Sequence, residues 1–537
     1  MDVDTPLSEP RSGQLSLGDW DDCAALAGAV ATRFAAFTAV PGAPVSHLAD
    51  LLARLRPELA WSTNEKVAVE SAVGSSLAGA RAVVVMKHNG LGLALDSLAN
   101  AAVHSIDAAL VVIVGDDPGA TSSTSNLDTR ALGAAARIPV LLPSLCGDGA
   151  EILDLAVRAS EMAGLPVIVR LSPRVHADCR ARARLGASAS ASAAGAASVA
   201  GTVAAGVRRD RRPVDEIAHS LTKLGRIQHH GLALDLAHGV ISDATSDRSP
   251  CIAAECTDAV IAVGDTYATI RDLDICARLV RAHPSDLEPL RAFAQRHSTT
   301  LVLEEPDTLV EEGLRSLMRG NARVVGRLTG HLRRHGDLTA EHVAQALSGR
   351  TAPPPAPESK SAAPPLAEHY GKVYEAIGAL RRAGTFVATD VGSSVRLCYP
   401  PYEGADAAVA LGASIAVAAG AARVGVGNGV GAVAVVGDYG LLHSGLPALV
   451  DATSRGLGLL VVVLANGIQA KTGGQPVVPV DLAAMVRACG VATVAEWADT
   501  ELDATQTRER FAGLARHART GATTVAIVYD GDLAHRS

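Results

Sequence analysis

Two polar residues, Asp438 and Asn466, each stand just beyond a short apolar run that reads as a buried strand, Ala432–Val436 and Leu459–Leu464. A helix-like stretch, Leu446–Ser454, lies between the runs. Parallel sheets gather ligands at the carboxyl ends of their strands. If the two strands are neighbours, a carboxylate and an amide oxygen meet at one such end. With a backbone carbonyl, at Ile468, they form an all-oxygen set. Such a set suits Mg²⁺, a hard cation that shares its shell with phosphates. Gly437 and Gly440, on either side of Asp438-Tyr439, let the backbone come close to a diphosphate. The plain alternative is a strand-end turn in which Asp438 caps the next helix.

Other residues have chemical potential of their own. Glu65 and Glu70 place two carboxylates about one helical turn apart. Lys87 and His88 follow the apolar run Ala82–Met86, where an imidazole and an amine can handle protons or bind a carboxylate. His443 has similar standing; the plain alternative for either histidine is a structural role. Asp390-Val391-Gly392-Ser393 follows another apolar run, Phe386–Thr389. The glycines Gly425, Gly427, Gly429 and Gly431 do not fit G-x-G-x-x-G and read as a connection. Eight cysteines are scattered from Cys23 to Cys489 with no C-x-x-C pair, so they read as buried free thiols of a reducing cytoplasm.

The elements that must hold these residues follow from the same pattern. The chain has 537 residues, too many for one core at roughly 150 residues per domain. Aromatics are only 3%, so the core is Ala, Val and Leu, which suits tightly packed α/β layers. Runs apolar on both faces mark strands of a parallel sheet covered by helices. In the first part they are Ala82–Met86, Ala109–Gly115, Val140–Leu142 and Pro166–Leu171. Ala259–Val263 and Thr300–Leu303 are the clearest in the middle, and Thr523–Tyr529 joins the three already named in the last part. Arg182–Gly206, rich in Ala, Ser, Gly and Arg, and the Pro-rich Thr351–Pro365 read as linkers. The expected architecture is three α/β domains: residues 1–181, 207–350 and 366–537, the outer two similar in style.

The net charge of -8 and the lack of a long basic run exclude a nucleic-acid or anionic-membrane surface. The longest apolar run, Leu457–Ala465, is too short to span a bilayer, and no secretory signal opens the sequence. A cytoplasmic location is expected.

Four blocks carry a family resemblance. They are Ser62–Leu91, Gly115–Arg130, GDYGLLHSG at 437–445 and KTGGQP at 471–476, with LVLEEPDTLVEE at 301–312 as a fainter fifth. Together they resemble the alpha subunit of indolepyruvate:ferredoxin oxidoreductase, of the thiamine diphosphate (ThDP)-dependent 2-oxo acid oxidoreductase superfamily. The resemblance implies a pyrimidine-binding first domain and a diphosphate-binding last domain. It implies ThDP and Mg²⁺ as cofactors, with Asp438, Asn466 and Ile468 at the metal. Asp390, Gly392, Ser393, Gly412, Ser414, Gly437, Tyr439 and Thr472 join the cofactor loops. It makes Glu65 the glutamate that bonds the aminopyrimidine N1′, with Glu70 the rival, and gives His88 and His443 proton-handling or substrate-binding roles. It also implies at least a homodimer.

The sequence departs from the family in three places. Tyr439 stands where the simplest motif has Gly, and Ala43 where the family's Pro-Gly-Thr-Pro has Thr. No cysteine-cluster domain follows, although family alpha subunits carry one. The expectation is therefore decarboxylation of a 2-oxo acid, an arylpyruvate by analogy. The acyl carbanion would pass non-oxidatively to an aldehyde or acyl thioester, giving an acyloin-type product. The runner-up is an oxidoreductase subunit whose Fe–S centres sit on a partner chain. A third reading is a catalytically silent scaffold.

Overall fold

Strands apolar on both faces must be covered on both faces, and the computed structural model shows how. It describes residues 21–119, 123, 125–144, 149–174, 223–245, 258–273, 275–318, 323–350, 369–425 and 431–531. Both expected linkers fall outside these, as do Gly427 and Gly429. Contacts divide the chain into two compact units, one ending at Pro357 and the other continuing from Glu358.

In the first unit lie β1 (Ala36–Ala39), β2 (Ala60–Trp61), β3 (Ala82–Lys87), β4 (Leu110–Gly115), β5 (Val140–Leu141) and β6 (Val167–Leu171). They form a parallel sheet in the order β2-β1-β3-β4-β6-β5. Alternation sorts its side chains. Val84, Met86, Val112 and Val114 enter one core, and Val83, Val85, Val111 and Ile113 enter the other.

The middle region adds β7 (Asp258–Val263), β8 (Cys276–Val280), β9 (Ala282–His283), β10 (Thr299–Leu303) and β11 (Arg323–Val325). Four of these make a second parallel sheet, β11-β10-β7-β8. β9 leaves it and pairs antiparallel with β5, so two residues of the middle region become the edge of the first sheet. One face of the middle sheet shares a core with the first: Ile261, Val263, Val302 and Phe293 pack in the cluster that holds Val84 and Leu98. The helix Lys223–Thr245 sends Ala233 and Ala237 into the same cluster and Ile241 into the other.

The carboxyl ends of the middle strands face charges from the first sheet. Arg130 Nη1 lies 2.9 Å from Glu304 Oε2, just beyond β10, and Nη2 lies 2.6 Å from Asp128 Oδ2. Arg170, on β6, spans Asp116 and Asp265, the latter just beyond β7. Arg174 reaches Glu305 at 2.7 Å. Glu304 also accepts the amides of Val310 (2.9 Å) and Glu311 (2.7 Å) in the first turn of the helix Leu309–Leu317. The LVLEEPDTLVEE block is thus the hinge of a buried ion-pair lattice. Burial works against the Arg130 charge, but Asp128 and Glu304 outweigh it and hold its pKa above the ordinary value.

The second unit holds β12 (Phe386–Thr389), β13 (Ala407–Ala408), β14 (Ala432–Gly437), β15 (Leu459–Ala465), β18 (Thr493–Ala498) and β19 (Thr524–Tyr529), with the hairpin β16 (Ile468–Gln469) and β17 (Gln475–Pro476). Its parallel sheet runs β13-β12-β14-β15-β19-β18. Val433, Val435, Leu460 and Val462 enter one core, and Ala434, Val436, Val461 and Val463 the other. The α/β class and the parallel sheets are as the sequence indicates. The expectation of buried thiols fails at Cys398, which ends the turn Ser393–Cys398 at the surface. Among the described residues no helix is long and apolar enough to cross a membrane.

Candidate active site

In the first unit, one group of candidate residues lies at the carboxyl ends of the strands. Glu65 is the first residue of the helix Glu65–Leu77, which Asn64 caps by accepting the Val67 amide at 2.8 Å. Glu65 is only 7% exposed, whereas the Glu70 side chain is 49% exposed and paired to Lys66. Burial thus separates the two rivals. Gly90, in the first turn of the helix His88–His104, makes the burial possible: a methyl group there would overlap the Glu65 carboxyl. The sequence reading passed over Gly90. Its signal was present, since His88-Asn89-Gly90 falls inside a matching block.

His88 is fully buried, and both ring nitrogens face backbone carbonyls, Nδ1 that of Gly115 and Nε2 that of Ser125, each at 3.1 Å. Asn89 donates to the Ser125 hydroxyl at 2.5 Å. The pair therefore pins the loop that follows β4. Burial pushes the Lys87 amine below its ordinary value, with Asp117 opposing. Lys87 packs against Gly42, where a Cβ would come within 2.7 Å of its own Cβ. The Pro41–Pro44 turn, with its Ala43, thus meets the end of β3.

In the second unit, another group lies at the ends of β12, β14 and β15, which are adjacent in that order. Gly437 pairs with Leu464 in the ladder, so Asp438 and Asn466 emerge side by side. Asp438 accepts the amides of Gly467 (2.7 Å) and Tyr439 (2.8 Å), which ties it to the end of β15. Asn466 Oδ1 accepts the Ile468 amide at 3.2 Å. Asp438 is the first residue of a short helical turn whose N-cap is Gly437, so it does not cap that turn as the plain alternative has it, and its carboxylate points across to the next strand.

Asp390 accepts the amides of Gly412 (2.7 Å) and Ser414 (3.3 Å) and so anchors that turn. Gly412 has φ +76, and a side chain there would strike the Gly440 carbonyl. Gly392 has open space where a Cβ would stand, and Ser393 is exposed beside it. Burial pushes both Asp390 and Asp438 up to about 6, against the amides that favour their charged forms. Tyr439 tilts against His443 at 5.5 Å, and His443 Nδ1 lies 2.5 Å from Ser444 Oγ in a π-helical turn, Leu441–Gly445. Thr472 Oγ1 donates to Gln475 Oε1 at 3.1 Å and closes the hairpin loop beyond Asn466. Gln475 is 4% exposed and is a second residue the sequence reading missed.

The donor set fits the group that the resemblance implies. It offers carboxylate, amide and carbonyl oxygens at neighbouring strand ends, with glycine backbone and open space at Gly392 for a diphosphate. A cation beside Asp438 opposes the effect of burial and favours the carboxylate form.

Residues 390–527 match the family described as thiamine pyrophosphate enzyme, C-terminal TPP binding domain. The chain is 28% identical over 498 residues to the indolepyruvate oxidoreductase subunit IorA of Archaeoglobus fulgidus, covering 84% of this chain and 74% of that one. The chain is thus similar to IorA subunits over most of its length, and to thiamine pyrophosphate-binding domains over residues 390–527. The IorA of Methanothermobacter marburgensis is 27% identical over 534 residues, 91% of this chain and 83% of the relative. Among solved structures, a 2-oxoglutarate:ferredoxin oxidoreductase from Magnetococcus marinus overlaps with a TM-score of 0.46 at 14% identity. The overlap covers 61% of this chain and 64% of that structure.

Proposed function

We propose that this chain binds ThDP through Mg²⁺ and decarboxylates a 2-oxo acid, an arylpyruvate in the first instance. The observation that carries the proposal is the pair Asp438 and Asn466 at the ends of adjacent strands, in a domain matching the TPP-binding family. When bound, ThDP supplies the electron sink on which a 2-oxo acid loses CO₂. The chain's own residues do the rest. Asp438, Asn466 and the Ile468 carbonyl would hold Mg²⁺. Gly392, Ser393, Gly437, Tyr439, Thr472 and the Gly412–Ser414 turn line the diphosphate loops, with Asp390 fixing that turn. Glu65, buried against Gly90, would hold the proton at the aminopyrimidine N1′. His88 fixes the loop after β4, Lys87 offers a cation for a substrate carboxylate, and His443 stands over Tyr439.

The domain limits proposed are 1–181, 207–350 and 366–537, joined by linkers at 182–206 and 351–365. For the product, we propose transfer of the acyl carbon to an aldehyde or acyl thioester. The wide spacing of the cysteines supports this, since no C-x-x-C is present to wrap a cluster. One observation favours a second reading: the relatives are named as subunits of an oxidoreductase. In that reading the electrons leave through a partner chain. The placement of Asp438 and Asn466 at adjacent strand ends, inside the region that matches the TPP-binding family, argues against a silent scaffold.

The test uses the full chain with ThDP, MgCl₂ and a panel of 2-oxo acids. CO₂ release without an electron acceptor, with labelled donor carbon joined to added aldehyde, is expected. Turnover only with a partner subunit and a viologen would establish the oxidoreductase reading instead. In folded Asp438→Ala, Mg²⁺-dependent ThDP binding should vanish in calorimetry; unchanged affinity there would remove the site assignment.

A further inference from the structure

The first unit holds a cleft that none of the candidate catalytic or cofactor residues lines. After β8 the chain leaves the middle sheet at Arg281 and enters the first sheet as β9. The Arg281 carbonyl accepts the Leu142 amide at 2.8 Å, which fixes the crossover. Two sheets that share a strand this way leave a gap at the crossover, and the helix Lys223–Thr245 covers one side of it. The resulting cleft has a volume of about 470 Å³. That is within the ordinary range for small-molecule sites, roughly 300–1,000 Å³.

Its lining is apolar on its flanks, at Ile241 and Leu290, and basic elsewhere, at Arg278, Arg281, His238 and His283. Two imidazole nitrogens there are buried and, among the described residues, have no hydrogen-bond partner: His238 Nε2 and His283 Nδ1. Buried polar atoms are nearly always paired, so two such atoms on one cleft call for a common partner. Asp286 also lines the cleft, but its carboxylate is engaged with the Glu288 amide at 3.1 Å as a helix cap.

We propose that this cleft binds a small organic anion, a carboxylate or phosphate on an apolar body. Arg278 supplies the charge, beside Arg281, which Glu151 already pairs at 3.6 Å; the two histidines supply the hydrogen bonds, and Ile241 and Leu290 the apolar contact. Burial, with Arg130 nearby, holds His283 down to about 4, so at neutral pH its ring is neutral and able to donate one N–H. None of the proposed cofactor residues lines this cleft, and the proposal does not depend on that reading.

Phenyl phosphate and phenylacetate are the two probes, titrated separately by calorimetry into the full chain at neutral pH. The proposal expects saturable binding of at least one, and whichever binds more tightly identifies the headgroup. Arg278→Gln and His238→Gln should each weaken that binding about tenfold or more, the worth of one lost charged hydrogen bond. Arg278 is half-buried on the cleft rim, and its variant should keep the wild-type melting temperature. No saturable binding of either probe to the wild type overturns the proposal. So does binding that both folded variants leave unchanged, because the probe then sits elsewhere.

Discussion

At the scale of single residues, environment rather than identity separates candidates. Glu65 and Glu70 look alike in sequence, but one is buried beside Gly90 and the other is tied to Lys66 at the surface. Glu65→Gln should keep ThDP bound and slow hydrogen–deuterium exchange at the thiazolium C2, read by NMR, by about 10²–10⁴-fold. Glu70→Gln should leave the exchange rate near wild type; the reverse pattern would transfer the role to Glu70. His283 provides a pH test. Its folded pKa, about 4, lies below the unfolded value of roughly 6.5, so the fold prefers the neutral ring. The associated stability is fully present above about pH 6.5 and is lost as pH falls toward about 4. His283→Asn removes that titration. Melting temperatures of variant and wild type should therefore converge between pH 7 and pH 4.5, and a constant gap across that range would mean that the ring is not held neutral.

At the scale of elements, the strand-end lattice joins the middle sheet to the first. Arg130 is fully buried and touches Asp128, Glu304 and the Asp307 carbonyl. Removing it strands two buried carboxylates. Arg130→Met should destabilise the first unit by about 3–5 kcal/mol in urea unfolding, because breaking a buried pair leaves an uncompensated charge. Arg130→Lys should recover little of this, since one ammonium cannot serve three directions as a planar fork does. A loss under about 1 kcal/mol in Arg130→Met would show that the lattice contributes as little as a surface pair.

At the scale of the whole molecule, the elements carrying Glu65 and His88 leave apolar side chains outward. Val67 is 44%, Leu93 40% and Leu127 38% exposed, and these lie on or beside the two helices that carry Glu65 and His88. Apolar groups gathered near a site indicate a partner surface. The chain should therefore be at least a homodimer in light scattering. Val67→Asp with Leu93→Asp should shift it toward monomer and reduce CO₂ release together; a fully active wild-type monomer would count against the assembly.

Much of this was legible in the sequence. The ten apolar runs named as strands are strands, with ends moved by one residue at most, because a strand buried on both faces leaves a continuous apolar signature. Asp438 and Asn466 were readable for the same reason: each is the first polar residue, or nearly so, after such a strand. Strands at sheet edges were not readable. β18, with Glu496 exposed, and the two-residue β9 carry too few apolar side chains to stand out. Only the tertiary structure buried Glu65 rather than Glu70, set Gly90 against it, and converted LVLEEPDTLVEE into the hinge of an ion-pair lattice. It alone placed His238 and His283 on one cleft, 45 residues apart in the chain (283 − 238). The physical reason is common to all of these. Period and polarity are local and are written along the chain, whereas burial of a charge depends on which distant segments pack around it.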